Sequence, residues 1–323
     1  MTQSPQVSVI IPTCGRSELL IECIVSILHN DFTDFEILVV DQDPRRTQET
    51  ELANRFSGNP QIKYLFLDQA NLSLARNKGI EHTRGEIIVF VDDDVEVDPG
   101  WLRAYVEAFT SVQHDAPGVV AGQLEPLWLS PRPEWYPEER EFILGIYNCR
   151  GDELVPMPKG ELPVGANFAA LRKVIDKVGM FDESVGFSYA RKASMLAGED
   201  GLFALKIKQA NYSIYYQPRA RAWHKISKNK LTKKYFFKRN FWQGATDVVV
   251  LYLSGAITPD DFPEVIRWHI RYIGGQVWRF LHPKDKSRSL TQAKAWMRLA
   301  AICLNSLGVI YYSLKFLWTR KLP

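Results

Sequence analysis

The chain has 323 residues, of which 46% are hydrophobic and 24% charged, and its formal net charge is +3. This composition excludes disorder as the dominant state and allows one large domain with appendages or two domains. The four cysteines have neither the Cys-x-x-Cys spacing of thiolate metal sites nor the pattern of a disulfide framework, and the short polar start of the chain is unlike a signal peptide. We therefore expect a protein of the reducing cytoplasm.

The charge is unevenly distributed along the chain. Residues 219–246 contain nine lysines and arginines and no acidic residue, which leaves 31 of the 40 basic residues against 37 acidic ones elsewhere. Such a segment suits phosphate, nucleic acid or an anionic membrane surface, and its plainer interpretation is a solvated helix face.

Strand and helix patterns alternate over the first 110 residues. Short β-branched runs predict strands at 7–11, 36–41, 62–67 and 86–91, and helical patterns follow them at 17–28, 47–56, 72–82 and 101–110. This alternation predicts a parallel sheet covered by helices on both faces. Ligands of such sheets bind beyond the carboxyl ends of the strands, so we expect the loops at Pro12, Asp41 and Asp92 on one edge.

The pattern changes after residue 125. Residues 126–163 are rich in proline and tryptophan and show little periodicity, which indicates a long, shaped loop. Further elements are predicted as strands at 118–124, 168–171 and 211–216, helices at 172–178 and 198–209, and helices throughout from residue 259. The uncharged segment 299–314 is shorter than the roughly 20 residues that cross a bilayer. This segment has three possible roles: packing within the protein, a peripheral membrane contact or a membrane span.

Three consecutive carboxylates, Asp92, Asp93 and Asp94, follow the strand at 86–91. On an extended chain Asp92 and Asp94 share one face while Asp93 points away, so two carboxylates can meet one cation. Mg²⁺ and Mn²⁺ are commonly bound by one or two carboxylates together with substrate phosphates. The triplet therefore predicts a metal site for a nucleotide diphosphate, with an inert acidic turn as the alternative.

Several short motifs occur together in a fixed order. They are Pro12-Thr13-Cys14-Gly15-Arg16, Asp41, Ala75-Arg76-Asn77-Lys78-Gly79, Asp92-Asp93-Asp94, Gly198-Glu199-Asp200 and Trp223-His224. This ordered set resembles the family 2 glycosyltransferases of the GT-A fold, which transfer a sugar with inversion of its anomeric configuration. Residues 163–168 and 179–183 also match the middle region of that family. The resemblance covers about residues 6–246.

The resemblance implies an α/β fold of the GT-A type, in which helices flank a mostly parallel, Rossmann-like sheet and a helical C-terminal extension follows. It places the glycosyltransferase domain at 1–246 and the extension at 247–323. Within the domain, residues 1–125 are the expected nucleotide-binding half and 126–246 the acceptor and catalytic half.

The resemblance also assigns the donor site. Pro12, Thr13, Arg16 and Asp41 would line the nucleobase pocket, with Asp41 accepting from the base imide and so favouring uracil. Arg76 would help to bind the nucleotide, and its structural alternative is an ion pair on a helix surface.

The same resemblance implies a metal site. Asp92 and Asp93 would lie near the ribose and the metal, and Asp94 is the expected direct ligand of Mn²⁺ or Mg²⁺. Asp92 and His224 are further candidate ligands, although a lone histidine often has a purely structural role.

Asp200 is the predicted catalytic base, with Glu199 as the fallback. Inverting transfer needs a carboxylate that takes the proton from the acceptor hydroxyl as its oxygen attacks the anomeric carbon. The alternative is that both acidic residues only favour the positive end of their helix, an effect worth roughly 0.3–1 kcal/mol each.

Together these features predict metal-dependent transfer of a single sugar from a UDP-linked donor to a hydroxyl acceptor, a saccharide or lipid-linked saccharide, in cell-surface polysaccharide or glycolipid synthesis. A processive synthase is disfavoured because Gln-x-x-Arg-Trp is missing and residues 264–268 are only a near match. A non-catalytic nucleotide-sugar-binding homologue and a sugar-nucleotide pyrophosphorylase remain as alternatives. No nucleic acid partner is expected, and segments 225–239 and 299–321 are candidates for peripheral contact with the inner face of the membrane.

Overall fold

The computed structural model describes residues 4–111, 117–149, 151–186, 195–282 and 292–319. The strands are β1 (Val7–Thr13), β2 (Phe35–Asp41), β3 (Ile62–Phe66), β4 (Ile87–Val91), β5 (Val95–Val97), β6 (Pro117–Trp128), β7 (Val155–Pro156), β8 (Asn167–Leu171) and β9 (Ser213–Ile226). The helices are α1 (Ser17–Leu28), α2 (Thr47–Arg55), α3 (Leu72–His82), α4 (Trp101–Ser111), α5 (Arg172–Val178), α6 (Glu199–Gln209), α7 (Lys233–Leu253), α8 (Phe262–Leu281) and α9 (Gln292–Thr319). The predicted bounds of α1, α3 and α5 are confirmed to the residue.

All the strands belong to one sheet in the order β3-β2-β1-β4-β8-β6-β9-β5, with β7 paired to β9. The first four strands of this order are parallel, as the alternation of strands and helices predicts. From β4 onward the pairs of β8, β5 and β7 are antiparallel. The sheet is therefore parallel only in the half where strands and helices alternate along the chain. The later strands lack that alternation and form antiparallel pairs.

Helices cover both faces of the parallel half. On β1, Val7 and Val9 pack in a core with α1 and α4, whereas Ile10 packs on the other face in a core with α3, α5 and α6. Each residue of β1 and β2 is buried, which is typical of strands between two helical layers. The predicted two-sided covering is confirmed.

Strand β9 continues to Ile226, ten residues beyond the predicted end at 216. Pro218 lies inside this strand, although proline removes a donor from a strand. The chain nevertheless alternates after it, with Arg219 and Arg221 exposed and Ala220 and Ala222 buried. This extension carries His224 into the sheet.

The chain divides into two compact units. Unit 1 comprises Met1–Leu127, Gly145–Ala190 and Glu199–Lys225, and unit 2 comprises Trp128–Leu144, Arg191–Gly198 and Ile226–Pro323. Helix α7 runs across residue 246, and the domain boundary placed there from the resemblance stays a prediction.

Unit 2 is built around α7, α8 and α9. Two glycines bring the backbones of α7 and α9 into direct contact: a β carbon on Gly244 would lie 1.8 Å from the carbonyl oxygen of Asn305, and one on Gly308 would lie 1.9 Å from that of Phe241. Residues 293–319 form a helix long and apolar enough to cross a membrane by length and composition, and 39% of its most apolar stretch is buried in the protein. The predicted contact segment 299–321 extends two residues beyond the described part of the chain.

Candidate active site

The loops after β1, β2 and β4 meet at one edge of the sheet, in unit 1. Thr13 lies opposite Asp41 in the parallel register, and its hydroxyl donates to Asp93 Oδ2 at 2.6 Å. The expected convergence of these loops is therefore observed. Pro12 lies within β1, next to Thr13.

The acidic triplet does not have the predicted geometry. Residues 93 and 94 form a turn, so the premise of an extended chain with Asp92 and Asp94 on one face is wrong. Arg16 instead joins Asp93 and Asp94, donating from Nε to Asp93 Oδ2 at 3.1 Å and from Nη1 to Asp94 Oδ2 at 2.8 Å. Asp92 is partly exposed and faces Arg76 at 3.4 Å.

Asp93 is completely buried, and burial raises its pKa to about 7 against the opposing effect of Arg16. The guanidinium of Arg16 thus compensates carboxylates that solvent does not reach. The role of Arg16 in the nucleobase pocket stays a prediction, as do the roles of Asp92 and Asp93 near the ribose.

This pKa predicts how stability depends on pH. Because the pKa of Asp93 lies above its ordinary value of 3.8, the folded protein favours the protonated form, and the stability contributed by this group is lost as the pH rises from about 4 to 7. We expect Asp93→Asn to gain stability relative to wild type over that interval. Urea unfolding of both proteins in EDTA at a series of pH values measures the difference, and a constant or falling difference would contradict the buried, protonatable state.

Asp94 and His224 are brought together by the pairing of β5 with β9. Val95 lies opposite His224, and the Lys225 amide donates to the Asp94 carbonyl at 2.9 Å. His224 Nε2 then lies 3.3 Å from Asp94 Oδ1, with both side chains nearly inaccessible to solvent. Two ligands that bind one ion at about 2.1 Å and at right angles are about 3 Å apart. This nitrogen and oxygen pair therefore fits one divalent cation.

Within the described ranges, no cluster of three or more His, Cys, Asp or Glu side chains is arranged for a metal ion. An ion at Asp94 and His224 would take its other ligands from water or phosphate oxygens. That is the usual arrangement for Mg²⁺ at nucleotide sites.

Gly145 is a site residue that the sequence did not reveal. It has a φ of +75°, and a β carbon there would lie 3.1 Å from His224 Nδ1. Both the backbone conformation and the close approach to the imidazole favour glycine. It lies in the long loop 126–163, where no periodicity or motif singles it out.

Arg76 is the central cation of the site. It is 1% exposed, and it donates to Glu199 Oε1 at 2.7 Å and to the Gly165 carbonyl at 2.9 Å. Its side chain also lies over the ring of Phe181. The alternative of an ion pair on a helix surface is wrong, because the pair is buried.

Glu199 and Asp200 begin α6 but have different environments. Glu199 is buried against Arg76, and burial, together with the neighbouring Asp200, raises its pKa. Asp200 is only half-buried, and its carboxylate accepts from the amides of Gly165 at 2.7 Å and Gly201 at 2.8 Å. Of the two predicted bases, Asp200 is the one whose carboxylate has no paired guanidinium in the described structure.

Gly165 connects these groups. Its amide donates to Asp200 and its carbonyl accepts from Arg76, so one residue contacts both. A β carbon there would lie 2.8 Å from Arg76 Nη2 and 3.0 Å from Asp200 Oδ2. The only sequence signal for it is the match of residues 163–168 to the family's middle region.

Asp41 is also fully buried. Its carboxylate accepts from the Asp43 amide and from the Tyr64 hydroxyl, both at 2.9 Å, and burial raises its pKa. Recognition of uracil by Asp41 stays a prediction.

The side chain of Lys225 is buried in ion pairs. The basic segment 219–246 suits phosphate or an anionic membrane surface, but the side chain of Lys225 within it is buried and pairs with Glu22 and with Glu96, the latter at 2.7 Å. The two glutamates compensate its charge, so both interpretations are wrong for this residue.

Comparison with known proteins provides the family context. The family model described as "Glycosyl transferase family 2" matches residues 8–179. A glucosyl-dolichyl phosphate glucuronosyltransferase of Haloferax volcanii is 25% identical over 244 residues, which are 74% of this chain and 75% of the relative. A GalNAc(5)-diNAcBac-PP-undecaprenol beta-1,3-glucosyltransferase of Campylobacter jejuni is 35% identical over 106 residues, or 32% of this chain and 34% of the relative.

Two solved structures share the fold. The mannosyltransferase PcManGT of Pyrobaculum calidifontis, in complex with GDP-Man and Mn²⁺, aligns with a TM-score of 0.56 at 16% identity, covering 100% of this chain and 78% of that one. GalNAc-T7 with UDP, GalNAc and Mn²⁺ aligns with a TM-score of 0.53 at 14% identity, covering 76% of this chain and 52% of that one. These alignments confirm the predicted GT-A fold class.

Proposed function

Because the chain belongs to glycosyltransferase family 2, we propose that it transfers a single sugar, with inversion and with the help of Mn²⁺ or Mg²⁺, from a UDP-linked donor to a hydroxyl group. The proposed acceptor is a saccharide or lipid-linked saccharide in cell-surface polysaccharide or glycolipid synthesis. The relatives named for dolichyl phosphate and for undecaprenol support a lipid-linked acceptor. Family membership sets the pyrophosphorylase alternative aside.

The different environments of Glu199 and Asp200 carry this proposal. A base must be ionised and reachable by the acceptor hydroxyl. Glu199 is buried against Arg76, whereas Asp200 is half-buried and oriented by two backbone amides. Asp200 therefore accepts the proton as the acceptor oxygen attacks the anomeric carbon from the side opposite the diphosphate.

Asp94 and His224 are the proposed ligands of the divalent ion. When bound, the ion stabilises the negative charge that develops on the leaving diphosphate. Asp94 contributes a carboxylate oxygen and His224 an imidazole nitrogen, and Arg16 orients Asp94 through its other oxygen. Asp92 remains a proposed third ligand, although in this structure it faces Arg76. The Mn²⁺ named with both solved structures supports the choice of metal.

The metal assignment predicts that Asp94→Ala abolishes Mn²⁺-dependent binding of a UDP-sugar. The reason is that the ion loses a carboxylate ligand that is already oriented by Arg16. Isothermal titration with UDP-glucose and other UDP-sugars, with and without Mn²⁺, measures the effect. Asp98→Ala is the matched control, because the carboxylate of this nearby aspartate accepts from the Gly100 amide. Unchanged Mn²⁺-dependent affinity in Asp94→Ala would sink the assignment.

The peripheral membrane contact predicted through 225–239 and 299–321, at the cytoplasmic face, is part of the same proposal. The lipid part of a lipid-linked acceptor stays in the bilayer, so an enzyme that uses this acceptor must reach the membrane surface. One apolar helix at residues 293–319 supports membrane association only by its length and composition.

A further inference from the structure

Exposed apolar side chains are concentrated in the helices of unit 2. Among the described residues, 17 large hydrophobic side chains are exposed, and 12 of them lie between Leu251 and Trp318. Isolated exposed apolar residues are normal on soluble proteins, but a concentration of this kind marks a binding surface. The question is which partner covers it.

Helix α9 exposes a continuous apolar stripe. Its members are Trp296, Leu307, Tyr311, Leu314 and Trp318, which we call the α9 stripe, and each is between 46% and 90% exposed. At 100° per residue these five positions fall within an arc of about 60°, and at 1.5 Å per residue they extend over about 33 Å. The stripe contains no charged residue.

Helix α8 adds aromatic and basic side chains to the same unit. Trp268 and Tyr272 are exposed and stack on each other with ring centroids 4.9 Å apart, and Trp278 is 57% exposed. Arg267 and Arg271 are exposed on the same helix. Tryptophan, tyrosine and arginine together are typical of surfaces that contact lipid headgroups.

Charge distinguishes a bilayer from a second copy of the chain. Residues 262–323 contain 11 basic and two acidic residues. A second copy would bring a like-charged surface to this one, whereas an anionic bilayer attracts it. Anionic lipid is therefore the complementary partner.

The buried side of α9 argues against a membrane span. Ser306 and Ser313 are buried on it, and Asn305 donates to Asp247 of α7 at 3.3 Å. Arg298 of α9 also forms a half-exposed ion pair, at 2.9 Å, with Glu139 of another segment of unit 2. These polar contacts fix one side of α9 to unit 2 and leave the apolar stripe on the other, which is the arrangement of a helix that lies in the plane of a membrane surface.

We infer that α8 and α9 bind the surface of an anionic lipid bilayer, with the α9 stripe inserted among the lipids and the basic side chains on their phosphates, without crossing the membrane. This inference names the partner surface of the proposed function and rests on that function for the presence of a lipid-linked acceptor. It adds α8 to the predicted contact segments, and within the segment 225–239 it leaves out Lys225, which is buried in ion pairs.

The test is flotation of the full-length protein with vesicles of phosphatidylcholine and phosphatidylglycerol, compared with vesicles of phosphatidylcholine alone. We expect binding to the anionic vesicles and weaker binding to the neutral ones. Leu307→Glu and Leu314→Glu should each lower the partition coefficient about tenfold or more, because each replaces an exposed leucine that would insert into the bilayer with a charged side chain. Trp318→Ser, at a site 90% exposed, should lower it without a new charge.

Val25→Glu is the matched control, because Val25 is an apolar helical residue of unit 1 that is 38% exposed. It should bind vesicles like the wild type, and circular dichroism of every variant checks the fold. Three results would overturn the inference: equal binding by the stripe variants, a wild-type dimer that these variants convert to monomer without lipid binding, or resistance of the membrane-bound protein to alkaline carbonate. Thermal stabilisation by UDP-sugars, measured without vesicles, tests the proposed function separately from this surface.

Discussion

Replacing Asp200 with asparagine should lower the rate of sugar transfer about 10²- to 10⁴-fold, the usual contribution of a positioned general base. Asparagine keeps the size of the side chain and an oxygen that can accept from the Gly165 amide, so the local structure and the donor site should persist. We therefore expect the affinity for the nucleotide-sugar to change little. The effect belongs to the chemical step and appears in kcat.

Single-turnover rates and donor titrations on the same preparations separate these two quantities. Asp176→Asn is a suitable control, because it makes the same chemical change at an exposed position on another helix of unit 1. Normal turnover in Asp200→Asn would rule out Asp200 as the base. Retained donor binding without turnover in the wild type would instead support a non-catalytic homologue.

Replacing Arg76 with methionine should cost about 3–5 kcal/mol of folding free energy, because it leaves the buried Glu199 without its cation. The cost should shrink at acidic pH. Burial already raises the pKa of Glu199, and loss of the guanidinium raises it further, so protonation removes the uncompensated charge as the pH falls.

Urea unfolding of Arg76→Met and of the double variant Arg76→Met/Glu199→Met measures how much this ion pair contributes to the free energy of unfolding. The double variant should recover part of the loss, because it removes both charges. Arg172→Met is the control, since that guanidinium donates to backbone carbonyls and a hydroxyl rather than to a carboxylate. A loss for Arg76→Met no larger than the control's would show that the buried pair does not stabilise the fold.

The parallel half of the sheet was predictable because its signals are local. Each strand from β1 to β4 is a mainly apolar run followed by a loop, and helical patterns lie between these strands. The antiparallel half depends instead on pairings such as Ala169 with Val120, which are distant in sequence and leave no local pattern.

The candidate site shows the same division. The residue types at the carboxyl edge were visible in the motifs, but their partners were not. An extended chain was assumed for the acidic triplet, whereas the turn at residues 93 and 94 lets Arg16 contact both carboxylates. Arg76 was expected on a helix surface or at the nucleotide, and its burial against Glu199 depends on packing between α3 and α6. Gly145 and Gly165 matter for the space they leave, which sequence alone does not show.

The proposed reaction makes one stereochemical claim that can be measured directly. A donor whose sugar is α-linked to the diphosphate is first selected from UDP- and GDP-linked sugars by thermal stabilisation in Mn²⁺. Proton NMR then follows its turnover by the full-length protein. A single displacement assisted by Asp200 predicts that the β-anomer of the transferred or hydrolysed sugar appears first. An α-product, or no turnover of any nucleotide-sugar, would contradict the account.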